Sequence, residues 1–148
     1  MKYLLKILAV FFLSLFIISC TKSDPPAPAA NTTVTFKAVI NGVNETTPNT
    51  STANGEGTLL FNTSTKIFTL TVTHTLASPM GGHIHRAAAG ANGPVIFPFT
   101  SLVSPIVYTS VALDAMQEAD LNANLYYINL HTSAFPGGEI RGQIIKQL

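Results

Sequence analysis

The sequence predicts an all-β domain, an antiparallel Greek-key-like sandwich or barrel with one short helix. Three observations point there. Phe68-Thr69-Leu70-Thr71-Val72-Thr73-His74 alternates throughout, with Phe68, Leu70, Val72 and His74 on one face and the threonines on the other. Short segments rich in β-branched residues recur along the chain, separated by loops of Asn, Thr, Gly and Pro. A single stretch, about Asp114 to Asn122, has helical texture. Short strands at this spacing fit antiparallel pairing, and no repeating unit is present.

In chain order, Thr33–Ile40 alternates at its start and reads as the first strand, and Gly57–Phe61 follows a polar loop as the second. Asn62-Thr63-Ser64-Thr65 then reads as a hairpin loop into a third strand, Lys66–His74. Further strands are expected at Gly82–Arg86, Val95–Phe99, Ile106–Val111, Leu125–Thr132 and Glu139–Lys146. The helix before Leu125 would use Leu113, Met116 and Leu121 as its apolar side.

All of this lies in residues 32–148, one domain by length. The start of the chain is of another kind. Met1–Lys6 is short and basic, and Ile7–Ile18 is apolar apart from Ser14. A bilayer span needs about 20 apolar residues, so this run fits a secretory signal peptide over residues 1–19. Ile17-Ile18-Ser19-Cys20 resembles the bacterial lipobox. That resemblance implies cleavage before Cys20 and acylation of both its thiol and its new amino terminus. Several acyl chains on one residue give stable anchoring where one alone is marginal. Residues 20–31 hold three prolines and no large apolar side chain, a semi-extended tether reaching roughly 30 Å. These features place the domain in the bacterial cell envelope, on the periplasmic face or at the cell surface of the outer membrane, with the membrane as a partner through the lipid.

Composition narrows the function. Cys20 is the only cysteine, which removes intramolecular disulfides and thiolate metal clusters. From Cys20 onward six cations face seven carboxylates, and nothing resembles a basic patch for nucleic acid. No Gly-x-Ser-x-Gly motif is present, and the Gly81-Gly82 and Gly137-Gly138 pairs, read as turns, lack a following helix to cradle phosphate. Gly137-Gly138 instead suits positive φ in a tight turn. Glu45, Glu56 and Glu139 would serve as acid and base only if the fold brought them together.

Two segments carry a family resemblance. One is Gly82-His83-Ile84-His85-Arg86 leading to Asn92-Gly93-Pro94-Val95. The other is Leu130-His131-Thr132 followed by Pro136-Gly137-Gly138-Glu139-Ile140-Arg141-Gly142-Gln143. With Gly42-Val43-Asn44-Glu45 and Pro48 upstream, they resemble the CHRD domain, a module named from chordin and common in exported bacterial proteins. The resemblance covers essentially all of residues 32–148. It implies an all-β sandwich and marks Glu45, Asn92, Gly93, Pro94, Gly137, Gly138, Glu139, Arg141 and Gly142 as structural motif positions. Arg86 stands where the family usually has glycine, and its larger side chain is expected to crowd the loop mouth.

Histidine offers the site. His83 and His85 are two apart, so on a strand they share a face, roughly 6–7 Å apart at the backbone. His131, at the end of another strand, completes a set of three nitrogens, for which copper or zinc is the natural guess. The same residues also suit a buried hydrogen-bond network. Glu139 and Arg141, again two apart, are placed to pair across a neighbouring strand or to anchor the histidines. His74 continues an apolar face and reads as a core or edge residue. The sequence thus favours a lipid-anchored, non-catalytic binding or structural module. The loops after His85 and around Phe135-Pro136 would offer a surface to an envelope partner. The alternative is a copper- or zinc-binding envelope protein using His83, His85 and His131.

Overall fold

A computed structural model describes residues 32–148, of which residues 33–146 carry nine strands and one α-helix: β1 (Thr33–Asn41), β2 (Asn54–Asn62), β3 (Phe68–His74), β4 (Gly81–Arg86), β5 (Val95–Pro98), β6 (Ile106–Thr109), α1 (Ala115–Asn122), β7 (Tyr126–His131), β8 (Ile140–Gln143) and β9 (Ile145–Lys146). The strands form one sheet in the order β5-β4-β7-β8-β1-β2-β3-β6, with β9 also on β1, and every pair is antiparallel. The sheet curls into a half-barrel. Its two ends meet where Phe97 of β5 packs edge-on to Phe68 of β3, ring centroids 5.3 Å apart, and approaches Tyr108 of β6. The all-β expectation therefore holds, with a single helix.

Alternation sets the core. Phe36, Ala38 and Ile40 on β1, Leu59 and Phe61 on β2, and Phe68, Leu70 and Val72 on β3 all point inward and are buried. Ile84, Ile128, Leu130 and Ile140 bring the other half of the sheet to the same core. The β2–β3 hairpin closes as expected. The Asn62 side-chain oxygen accepts from the Ser64 and Thr65 amides, and Lys66 takes a left-handed φ of 61°. That turn is why β3 begins at Phe68 rather than Lys66. The final stretch divides in two: β8 lies between β7 and the end of β1 at Asn41, whereas β9 pairs with β1 alone.

Two side-chain expectations need correction. Met116 is exposed, and α1 buries Leu121 and Asp120, with Leu113 just before its cap. The helix is oriented by polar contacts as well as apolar ones. Asp114 and Gln117 form a capping box, and the Tyr126 hydroxyl donates to the Gln117 carbonyl at 3.0 Å. Arg86 does not crowd the loop mouth. Alternation turns its side chain away from the face of His83 and His85, and it meets Asp120 in a two-pronged ion pair at 2.5 and 3.0 Å. Gly81-Gly82 is not a turn either, because both residues lie within β4. No helix among the described residues is long and apolar enough to cross a membrane.

Phe68 is fully buried among Phe97 and Tyr108, whereas Val107 is 70% exposed on the outer face. Phe68→Ala should lower unfolding stability by about 3–5 kcal/mol. Val107→Ala should change it by less than about 0.5 kcal/mol. Chemical denaturation of the two variants checks the assignment of faces.

Candidate metal centre

The outer face of β4 and β7 carries the histidines. On β4, Gly82 and Ile84 point inward, so Gly81, His83 and His85 face out. β7 pairs with β4 in the register Gly81↔His131, His83↔Asn129 and His85↔Tyr127. His131 is thus diagonal to His83 on the same face. The ring centroids of His83 lie 5.4 Å from His85 and 5.1 Å from His131. One nitrogen from each of the three rings falls within 4.8 Å of the other two. All three residues are half-buried.

Backbone carbonyls orient two of the rings. His85 Nδ1 lies 2.9 Å from the Gly93 carbonyl oxygen, and His131 Nδ1 lies 3.0 Å from that of Pro136. A carbonyl oxygen only accepts, so Nδ1 carries the proton in both rings and a neutral ring then presents Nε2 as a lone pair. Both Nε2 atoms are buried and without a hydrogen-bond partner, as is Nδ1 of His83. Burial, reinforced by the charges of the neighbouring histidines, pushes the pKa of His83 below its usual value. His85 is also lowered, first by burial and then by His131 and Arg141, against the opposing bond to Gly93. Both shifts favour the neutral ring, the form that binds a metal.

A second layer supports the trio. Tyr127 stacks flat on His85, centroids 4.8 Å apart and planes 4° from parallel. The Arg141 guanidinium lies over the other ring, 3.5 Å from the Tyr127 centroid, and donates to the Ala91 carbonyl at 2.8 Å and to the Asn92 side-chain oxygen at 3.5 Å. These contacts hold the loop between β4 and β5 against the sheet. In that loop Gly93 donates its amide to the Tyr127 hydroxyl at 3.2 Å while its carbonyl holds His85. A Cβ on Gly93 would sit 1.8 Å from the Arg86 carbonyl oxygen, so only glycine fits. Pro94 accepts from the Arg86 amide at 3.0 Å. Gly142 lets β8 lie against Val39 of β1.

The loop between β7 and β8 has its own anchors. Glu139 accepts from Ser51 Oγ at 2.6 Å and, by a shorter contact, from Thr132 Oγ1. Gly138 has φ of 132°, and a Cβ there would run into Glu45 and Asn129. Gly137 has ordinary φ and open space around it, so the expected positive φ belongs to its neighbour alone. Glu139 and Arg141 make no ion pair with each other, and neither hydrogen-bonds a histidine. Burial drives the Glu45 pKa from the usual 4.5 to about 7, outweighing the opposing pull of Arg141.

The structure thus brings His83, His85 and His131 together and leaves His74 apart, where its Nε2 meets the Leu102 carbonyl at 2.9 Å. Cys20 lies outside the described residues. The sequence does not single out Tyr127, whose stack on His85 depends on the cross-strand register, and it offers Gly81 only as part of a turn, whereas the missing side chain there leaves the trio uncovered. In comparison with known proteins, the family model described as the CHRD domain matches residues 36–144, well over half of the chain. No curated protein and no solved structure matches.

Glu45 gives a test of this second layer. Its raised pKa stabilises the fold fully below pH 4.5, and that contribution is lost as pH rises towards 7. His83 and His85, with lowered values, act in the opposite direction, so the comparison must be with Glu45→Gln. The variant should match the parent near pH 4.5 and exceed it by about 1–3 kcal/mol at pH 8. Denaturant unfolding across that range measures the difference.

Proposed function

The chain belongs to the CHRD domain family, and on that premise we propose that it is a lipid-tethered, metal-binding module of the bacterial cell envelope, holding copper or zinc on His83, His85 and His131. The observation that carries this reading is the convergence of three histidine rings, each of which has a buried nitrogen without a hydrogen-bond partner. In a purely structural hydrogen-bond network, the protein would be expected to satisfy those atoms, because a buried polar group left unpaired costs about 1–3 kcal/mol. Here the Nδ1 protons of His85 and His131 are spent on carbonyls, which leaves Nε2 of each ring bare. Histidine ligands are oriented in this way, by a second bond from the far ring nitrogen.

The spacing supports a modest closure on binding. With the three nitrogens all within 4.8 Å of one another, a central metal would sit at most about 2.8 Å from each, so no ring need move in by more than roughly 0.7 Å to reach about 2.0–2.1 Å. Imidazole without thiolate suits copper and zinc. Cys20 and the proline-rich stretch after it would keep the site at the membrane surface.

Two measurements test the proposal. Full-length protein in detergent, titrated with copper(II) or zinc(II), should take up one ion per chain. His83→Ala and His131→Ala should each weaken binding by more than about 100-fold, beyond what loss of an orienting partner does. His74→Ala should leave binding unchanged. Equal and negligible metal in parent and variants would leave the trio filled by water alone and end the metal reading. Separately, the parent chain should incorporate labelled fatty acid and Cys20→Ser should not. A parent chain without label would refute the anchor.

A further inference from the structure

We propose that a metal on this trio keeps one coordination position open to a small inorganic anion from solution, which enters through the cleft over Gly81. The inference rests on the metal reading above. Three nitrogens converge, and among the described residues no carboxylate joins them. Four-ligand structural sites are closed, whereas sites with three protein ligands leave a position for water or another small ligand.

The cleft is where that position opens. It has a volume of about 340 Å³ and is walled by Met80, Gly81, His83, His131, Thr132, Ser133 and Pro136. A single water occupies only about 30 Å³ of liquid, so the space takes a ligand of several atoms. His85 does not line it, which puts the accessible side of the site between His83 and His131. No acidic side chain lines the cleft, so an anion approaching the metal meets no opposing charge there. The acid nearest in sequence, Glu139, is held by Ser51 and Thr132.

Gly81 controls access. A Cβ there would lie 3.7 Å from His131 Cδ2 and 3.7 Å from His83 Cε1, in ordinary contact with both rings. One methyl group therefore fits, while a longer side chain would lie across the trio. Gly81 has no positive φ, so its backbone accepts a side chain. Ser133 is exposed on another wall and offers a second place to fill the cleft without touching a histidine's hydrogen bonds.

Azide binding to the copper(II)-loaded full-length chain tests this, followed by its charge-transfer absorption and by electron paramagnetic resonance. The parent should show a saturable azide band. Gly81→Leu and Ser133→Trp, each saturated with copper, should weaken azide binding on the order of tenfold or more, and Ser133→Trp should keep copper affinity within about threefold of the parent. Gly81→Ala should resemble the parent. If the parent holds copper but gives no azide band, the fourth position is closed by the protein, for instance by the Met80 thioether. The inference then fails while the metal reading stands. Should both bulky variants bind azide as the parent does, the cleft is not the route and the inference is equally overturned. A parent that holds no copper removes the inference and the metal reading together. Ser133→Trp, at an exposed position, keeps the test decisive if Gly81→Leu does not fold.

Discussion

Arg141 is the residue on which the outer half of the molecule depends. Arg141 is 1% exposed, and no carboxylate hydrogen-bonds its guanidinium among the described residues. A buried cation without partners would cost several kcal/mol. The compensation comes from the face of Tyr127, the Ala91 carbonyl and the Asn92 side-chain oxygen. Because two of those groups belong to the loop between β4 and β5, satisfying the charge also fixes the loop. The fixed loop then places the Gly93 carbonyl against His85. Charge burial, loop position and imidazole tautomer are therefore one linked arrangement.

That arrangement explains why β7 is buried on both faces. Tyr126, Ile128 and Leu130 enter the core, while Tyr127 and Asn129 lie beneath the loops that Arg141 and Glu139 hold. The half-barrel supplies the apolar layer, and the loops supply a thinner polar one. The histidines stand at the edge of the polar layer, half-buried, where desolvation favours the neutral form of His83 and His85 and a cleft still reaches solvent. Glu45 shows the same environment acting on an acid. Arg141 favours its anion, yet burial wins and raises its pKa to about 7.

Strands with strict alternation were legible because a half-buried sheet imposes a period of two. β1 and β3 are the clear cases, their inward residues alternating with exposed threonine, lysine and valine. β2 starts at Asn54, earlier than its pattern suggests, because Gly55 and Gly57 face the core without contributing a hydrophobic signal. Met116 misled for the opposite reason, since an apolar residue at a plausible helical position lies on the exposed side of α1. The shared face of His83 and His85 followed from spacing alone. The approach of His131 followed only from the β4–β7 register, and the locking of two Nδ1 atoms only from loop closure. Arg86 could not be placed from sequence, because its partner Asp120 lies 34 residues away.

The central claim is that the folded chain holds His85 and His131 as Nδ1–H tautomers with Nε2 bare before any metal arrives. Long-range nitrogen–proton NMR on the imidazoles of the metal-free protein tests this most directly. The account predicts that above the histidine titrations both rings show a protonated Nδ1 and an unprotonated Nε2, and that only Nε2 moves when zinc is added. A protonated Nε2 in either ring, or rapid exchange between tautomers, would contradict it.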